Sequence, residues 1–330
     1  MNSKVQILLK GVGSYLPKKK TSNYDLEKFM DTSDEWIRKR TGIKFRHFVE
    51  DNELTSDMGT NAAKLALLNA GLKPNDIDLI ILATTTPDNT FPSTASKIQR
   101  NLGCKAISFD VQAVCAGFIY AISIGVAMLK DTHGTKCLVI GADSMSKILD
   151  WNDRSTAVLF GDGAGAVLIE PSENDFGWED EFLRSDGVGA EWLKIKAGGS
   201  LYPITKETFE KKWHFITQDG KTVFKSAVSE MANATEQIII RNKLDPDDIK
   251  YLLPHQANKR IIDATAEKIN LDKNKVLMNI EEYGNTTAAT IPLLMHDYEK
   301  NFKKGDKIIL AAFGAGLTWG AAYLTCLLYT

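Results

Sequence analysis

Apolar and polar positions along the chain fall into two alternating rhythms. Short apolar runs, "DLIILATTT", "AISFDVQAV", "KCLVIGADS" and "GAGAVLIEP", are bounded by turn residues and read as buried strands. Stretches with helical spacing follow them, "STASKIQRNL" after the first and "GFIYAISIGVAMLK" after the second. Apolar strands interleaved with helices predict an α/β fold whose sheets are covered on both faces. The run "GFIYAISIGVAMLK" is apolar on nearly every side, which predicts a central, buried helix. The opening "MNSKVQILLKGVG" has lysines inside its apolar part and reads as a first strand, not a signal peptide. The segment 170–222 is richer in charge, glycine and aromatics, and reads as a connection with irregular elements of its own.

The pattern repeats. "AGLKPNDIDLIILATT" (70–85) is echoed by "NKLDPDDIKYLLPHQ" (242–256). Leu72, Pro74, Asp76, Ile77 and Ile80 correspond to Leu244, Pro246, Asp248, Ile249 and Leu252, at a constant offset of 172 residues. The endings pair as well, "DTHGTKCLVIGADS" with "FKKGDKIILAAFGAG" and "GAGAVLIEP" with "WGAAYLTCLL". Internal similarity of this kind predicts a duplicated α/β unit, with halves 1–172 and 173–330. Open α/β sheets bind ligands at strand carboxyl ends. Cys115 follows such an end in the first half and His255 follows one in the second.

Composition narrows the function classes. The chain has 330 residues, 44% hydrophobic and 25% charged, enough for a large core and two domain-sized units. A net charge of −2 offers no basic footprint for nucleic acid. No apolar stretch reaches the roughly eighteen residues expected of a membrane span, and with no signal peptide read at the start the expected compartment is cytoplasmic. Cys104, Cys115, Cys137 and Cys326 show no CxxC pairing, which fits reduced thiols. His47, His133, His214, His255 and His296 show no HxxH or HExxH spacing, so no bound metal is expected.

Three positions could carry chemistry. Cys115 lies where a strand passes into the apolar helix, and a helix N-terminus favours a thiolate. A free cysteine among apolar residues is also an ordinary core residue, and taken alone that reading has the advantage. His255 sits in the turn of "LLPHQANKR" before a helix, where a surface or capping role competes with a cleft role. Asn285, in "EEYGNTTAATIPLLM", leads into a helix near Ala288 and could serve as its N-cap. The glycines of "AAFGAGLTWG" and "FGDGAGAVL" run into strands rather than helices. They are therefore no dinucleotide fingerprint, and read as tight hairpins with backbone N–H groups free to bind an oxyanion.

Read together, "TSDEWIRKRTGI" (32–43), "FPSTASKIQ" (91–99), "FDVQAVCAGFIYA" (109–121), "FGDGAGAVL" (160–168), "LPHQAN" (253–258), "YGNTTAATIP" (283–292) and "FGAGLTWG" (313–320) resemble β-ketoacyl-acyl-carrier-protein synthase III. These are the initiating condensing enzymes of bacterial and plastid fatty acid synthesis, and the resemblance spans the whole chain. It implies a thiolase-like fold, two βαβαβαββ halves in a five-layer αβαβα arrangement. It implies Cys115 as acyl-accepting nucleophile, completed by His255 and Asn285, with the backbone N–H groups of Cys115 and Ala315 as oxyanion hole. The substrates would be an acyl-CoA, with acetyl-CoA as primer, and malonyl-acyl-carrier protein, with no metal or redox cofactor. Thr32, Trp36, Arg40 and Arg154 match positions at the adenine end of CoA; Phe224, Ala257 and Asn258 match the pantetheine tunnel.

Lys225 and Arg260 match a patch that docks the acyl carrier protein, and Phe91 matches an aromatic closing the acyl pocket across a homodimer. The bland reading of "DEWIRKR" is an amphipathic helix face, and of Lys225 and Arg260 a solvated surface. Ala315, Leu317, Gln218 and Ser155 depart from the commonest residues of the family, which bears on primer choice. Polyketide and alkylquinolone condensing enzymes share a Cys-His-Asn triad but would not keep "LPHQAN" and "GNTTAATIP" in this form. A thiolase would carry a second cysteine where this chain has "FGAG". An elongating synthase would carry a histidine in place of Asn285. A catalytically idle carrier-binding homologue would not need the three residues intact.

Overall fold

The computed structural model describes residues 6–131, 135–173 and 175–326, so His133 lies outside the described residues. Strand β1 (Gln6–Tyr15) is followed by α1 (Thr55–Ala70), β2 (Leu79–Ala83), α2 (Thr94–Leu102), β3 (Ile107–Val111), α3 (Gly117–Lys130), β4 (Cys137–Asp143) and β5 (Gly163–Ser172). The five strands form one sheet in the order β1-β5-β4-β2-β3. Strands β4, β2 and the edge strand β3 are parallel, and β5 runs antiparallel to β4 and β1. Helix α1 begins where the Asp57 carboxylate accepts the Leu54 N–H, at 3.0 Å, and ends at Gly71 with φ 68°.

The second sheet repeats this plan. It uses β6 (Gly177–Ser185), β7 (Ile249–Pro254), β8 (Lys307–Gly314) and β9 (Thr318–Thr325), in the order β7-β8-β9-β6. Helices α4 (Gly220–Arg241), α5 (Lys259–Lys268) and α6 (Thr290–Tyr298) stand where α1, α2 and α3 stand in the first series. The counterpart of β3 is reduced to a single parallel bridge between Leu252 and Val276. The segment read from sequence as a connection supplies β6 and a short ribbon, Leu193–Ile195 paired with Ile216–Gln218.

Three apolar seams hold the layers. Phe118, Ile119 and Ile122 of α3 and Ile291 and Leu294 of α6 are buried between the sheets. They pack on Ile81 and Val139 from one side and Leu310 and Ala322 from the other. Outside the first sheet, Ala62 and Ala66 of α1 cover Ile140 and Leu168. Outside the second, Met231 and Ile238 of α4 and Ile262 of α5 cover Ile309. Each large side chain so buried contributes about 1.5–3 kcal/mol. The result is the expected five-layer, thiolase-like α/β fold. Strand β4 meets the Thr287–Ala289 turn tightly: a Cβ at Gly141 would lie 2.2 Å from the Ala288 carbonyl oxygen, so only glycine admits that approach.

Candidate active site

Cys115 sits in a one-turn 3-10 helix, Val114–Ala116, and α3 begins only at Gly117. The residue before it, Val114, has φ 47°, a left-handed conformation that is strained for a β-branched residue. The turn is held from the second sheet. Thr318 Oγ1 donates to the Ala113 carbonyl at 2.9 Å, and Gly314 presses flat against the Cys115 backbone. Burial pushes the Cys115 thiol well above the usual thiol range, and the nearby Asp143 carboxylate pushes the same way. This corrects the expectation of a thiolate favoured by the helix end. Desolvation of a buried anion outweighs the partial charge of a helix that starts two residues later.

His255 follows β7, its N–H donating to the Ala311 carbonyl of β8 at 2.7 Å. It is 1% exposed, far more enclosed than a cleft-facing loop histidine, and burial lowers its pKa from 6.5 to about 3. The ring is therefore neutral at ordinary pH. Its Nδ1 lies 2.7 Å from Thr290 Oγ1.

Asn285 does not cap α6. Its Oδ1 accepts the N–H of Thr287 at 2.9 Å in a local turn, and α6 begins at Thr290. Its backbone bridges to the first half, N–H to the Leu159 carbonyl at 2.9 Å and C=O from the Gly161 N–H at 3.0 Å. With Oδ1 so engaged, the amide N–H₂ has no partner among the described residues. Thr287, with φ 51°, and the Ala288 N–H donate to the buried carboxylate of Asp143. Asp143 also accepts from Thr84, Thr85 and Thr86, so one carboxylate ties the Asn285 loop to the first sheet.

Cys115, His255 and Asn285 line one open cavity of about 680 Å³. Trp36, Arg40, Arg154, Phe224, Lys225, Ala257, Asn258 and Arg260 line it as well, as do the departing residues Gln218 and Ser155. Trp36 belongs to the helix Asp34–Thr41, capped by Ser33 and closed by Gly42. The guanidinium groups of Arg40 and Arg154 lie 4.7 and 5.2 Å from its ring centroid. Arg260 lies 5.4 Å over Phe224, and the Asn258 side chain caps α5 through the Arg260 N–H at 2.9 Å. Gln218 Nε2 donates to the Ser155 carbonyl at 2.9 Å, so two of the family departures touch each other.

Three expected residues are not in this lining. Thr32 keeps a buried, unpartnered hydroxyl apart from it. Ala315 sits in the Ala315–Leu317 hairpin while its neighbours Phe313 and Gly314 line the wall. Phe91 is 85% exposed on a surface loop. The "FGDGAG" turn is also not a free N–H cradle: the Gly161 and Asp162 N–H groups donate to the Asn285 and His47 carbonyls. Asp143 and Thr290 escaped sequence reasoning, since their partners lie in distant segments. Among the described residues no group of three His, Cys, Asp or Glu side chains could hold a metal ion.

A duplicated sheet fold with a cysteine, a histidine and an asparagine gathered where its two halves meet defines the condensing enzymes of the thiolase-like class. Two family models match, 3-oxoacyl-[acyl-carrier-protein (ACP)] synthase III over residues 109–187 and its C-terminal portion over 239–326. The chain is 46% identical to β-ketoacyl-[acyl-carrier-protein] synthase III 1 of Bacteroides thetaiotaomicron, covering 97% of this chain and 96% of that protein. It is 47% identical to β-ketoacyl-[acyl-carrier-protein] synthase III of Caldanaerobacter subterraneus, covering 98% and 99%. The crystal structure of 3-oxoacyl-[acyl-carrier-protein] synthase III from Aquifex aeolicus superposes with a TM-score of 0.90 at 43% identity, over 98% of this chain and all of that one. The chain belongs to the β-ketoacyl-[acyl-carrier-protein] synthase III family.

Proposed function

We propose that the chain joins an acyl-CoA primer, acetyl-CoA first, to malonyl-acyl-carrier protein by decarboxylative Claisen condensation. The observation that carries this reading is the single cavity shared by Cys115, His255, Asn285 and the Trp36–Arg40–Arg154 mouth. The Cys115 sulfur attacks the primer thioester, its proton leaves with the CoA thiolate, and an acyl-Cys115 thioester remains. The backbone N–H groups of Cys115 and Ala315 hold the oxyanion of that step. Malonyl-carrier protein then binds, and His255 and Asn285 each donate a hydrogen bond to its thioester oxygen. The C–C bond to the malonyl carboxylate breaks, CO₂ leaves, and the electron pair passes into the enolate. That carbanion attacks acyl-Cys115, expelling the thiolate and releasing β-ketoacyl-carrier protein. Each step draws only on side chains, backbone and substrates.

Trp36, Arg40, Arg154 and Thr32 hold the adenine end of CoA, and Phe224, Ala257 and Asn258 the pantetheine arm. Lys225 and Arg260, exposed at the rim, receive the acidic carrier protein. The halves 1–172 and 173–330 act as the nucleophile-bearing and His/Asn-bearing units. A homodimer is supported by the open edge of β3 and by the exposed Phe91, which would reach a partner's acyl pocket. No described helix is long and apolar enough to cross a membrane. A cytoplasmic site of action fits the soluble substrates.

Incubation with acetyl-CoA followed by peptide mass spectrometry tests the reading. An acetyl group on Cys115, absent in Cys115→Ser together with condensation, is the expected result. Normal turnover by that variant would remove Cys115 from the nucleophile role.

A further inference from the structure

We infer that Gln256 is a positioning residue that fixes the spacing between His255 and Asn285. The inference rests on the reading above, in which both side chains donate to one malonyl thioester oxygen. Two donors share an oxygen only at a set separation, so whatever fixes their spacing acts on that step.

Gln256 follows His255 in the turn after β7 and is 0% exposed. Its side-chain bonds all go to backbone groups. Nε2 donates to the Pro254 carbonyl at 2.7 Å and, more weakly, to the Leu277 carbonyl at 3.4 Å. Oε1 accepts the N–H groups of Asn279 and Ile280 at 3.1 and 3.2 Å. A backbone N–H only donates and a carbonyl only accepts, so no other placement of protons satisfies these contacts. The amide has one orientation. The two N–H groups open the one-turn helix Ile280–Tyr283, whose N-cap residue Asn279 makes no side-chain cap bond of its own. The Asn279 amide is turned instead to Asp297, at 2.9 Å. Gln256 thus supplies the cap from a distant segment. The helix closes at Gly284, with φ 65° and its N–H on the Ile280 carbonyl at 3.0 Å, and Asn285 is the next residue. One buried amide therefore ties the backbone just before His255 to the start of the turn that carries Asn285. Both ends of this tie abut residues that line the cavity. Cys115 is held separately, through Ala113 and Gly314.

The test uses the full chain as wild type, Gln256→Met and Gln256→Glu. Methionine has a similar length and no strong donor or acceptor, so both N–H groups lose this acceptor. Amide hydrogen exchange over residues 276–285, read by mass spectrometry without substrate, should speed up roughly ten- to hundredfold in Gln256→Met. The second readout is the ratio of malonyl-carrier-protein decarboxylation to Cys115 acetylation. In Gln256→Met that ratio should fall roughly ten- to hundredfold. A buried carboxyl facing carbonyl oxygens keeps its proton. Gln256→Glu then presents C=O to the two N–H groups and O–H to Pro254, and should restore most of both readouts. Unchanged exchange in Gln256→Met, equal loss of both half-reactions, or a glutamate variant as impaired as methionine overturns the inference. Should Gln256→Met not fold, Gln256→Asn, too short to span both ends, carries the same comparison. If wild-type Cys115 takes no acetyl group, the functional reading fails, while exchange still decides whether Gln256 holds the turn.

Discussion

Gly314 ends β8 directly behind Cys115, the proposed nucleophile, and replacing it by alanine is the sharpest perturbation the structure offers. A Cβ there would lie 2.8 Å from the Cys115 nitrogen and 3.0 Å from both the Ala113 oxygen and the Ala116 nitrogen. All three are backbone atoms, so no flexible side chain can swing aside. Contacts of 3.4 Å are ordinary, which requires the Val114–Ala116 turn and β8 to separate by about 0.4–0.6 Å. Overpacking of this kind costs about 1–3 kcal/mol. Unfolding by calorimetry should therefore occur a few degrees lower, at roughly 1–2 °C per kcal/mol for a chain of this size. A nucleophile displaced by about 1 Å loses on the order of a hundredfold in rate. Half that displacement predicts roughly a tenfold slower acetylation of Cys115, read by rapid quench and intact mass. Gly314→Ala that acetylates at the wild-type rate and melts at the wild-type temperature would refute the reasoning.

Two pH predictions follow from burial. The Cys115 thiol is raised, so alkylation by iodoacetamide at pH 7 should be slower than for a free thiol and keep climbing through pH 9; a plateau below pH 8 would contradict it. His255 is lowered to about 3. Its neutral form contributes stability that is present above the unfolded value near 6.5 and lost as pH falls toward 3. Decarboxylation by folded enzyme should therefore show no acid limb near 6.5, and a His255 imidazole signal titrating there by NMR would overturn this.

Much of the architecture is legible in the sequence because the apolar pattern of most core elements recurs in the second half of the chain. The Leu-x-Pro-x-Asp-Ile register places β2 and β7 at matching points, and the apolar run after Cys115 is the buried α3. The missing fifth strand of the second sheet was not legible, since Val276 keeps one bridge without a strand's length of pattern. At the candidate site, residue type and motif single out Cys115, His255 and Asn285, which line one cavity. Their electrostatics stay hidden, because burial depends on segments far away in the chain. Asp143 reads as the unremarked end of a strand, yet its partners lie 57 to 59 residues before it and 144 and 145 after it. Thr290 likewise reads as a helix-opening threonine until the fold brings it to His255, 35 residues away.

Val114 and Thr287 are β-branched residues held at φ 47° and 51°, and each opens a 3-10 turn that feeds a central helix. A left-handed β-branched residue costs about 1–3 kcal/mol. The same costly bend thus stands ahead of α3 and ahead of α6, one beside each sheet. One residue after the first bend comes a thiol, Cys115, and two residues before the second comes an amide, Asn285, and both line the cavity. The two sides of the cavity therefore share a backbone device and differ in the side chain that each presents.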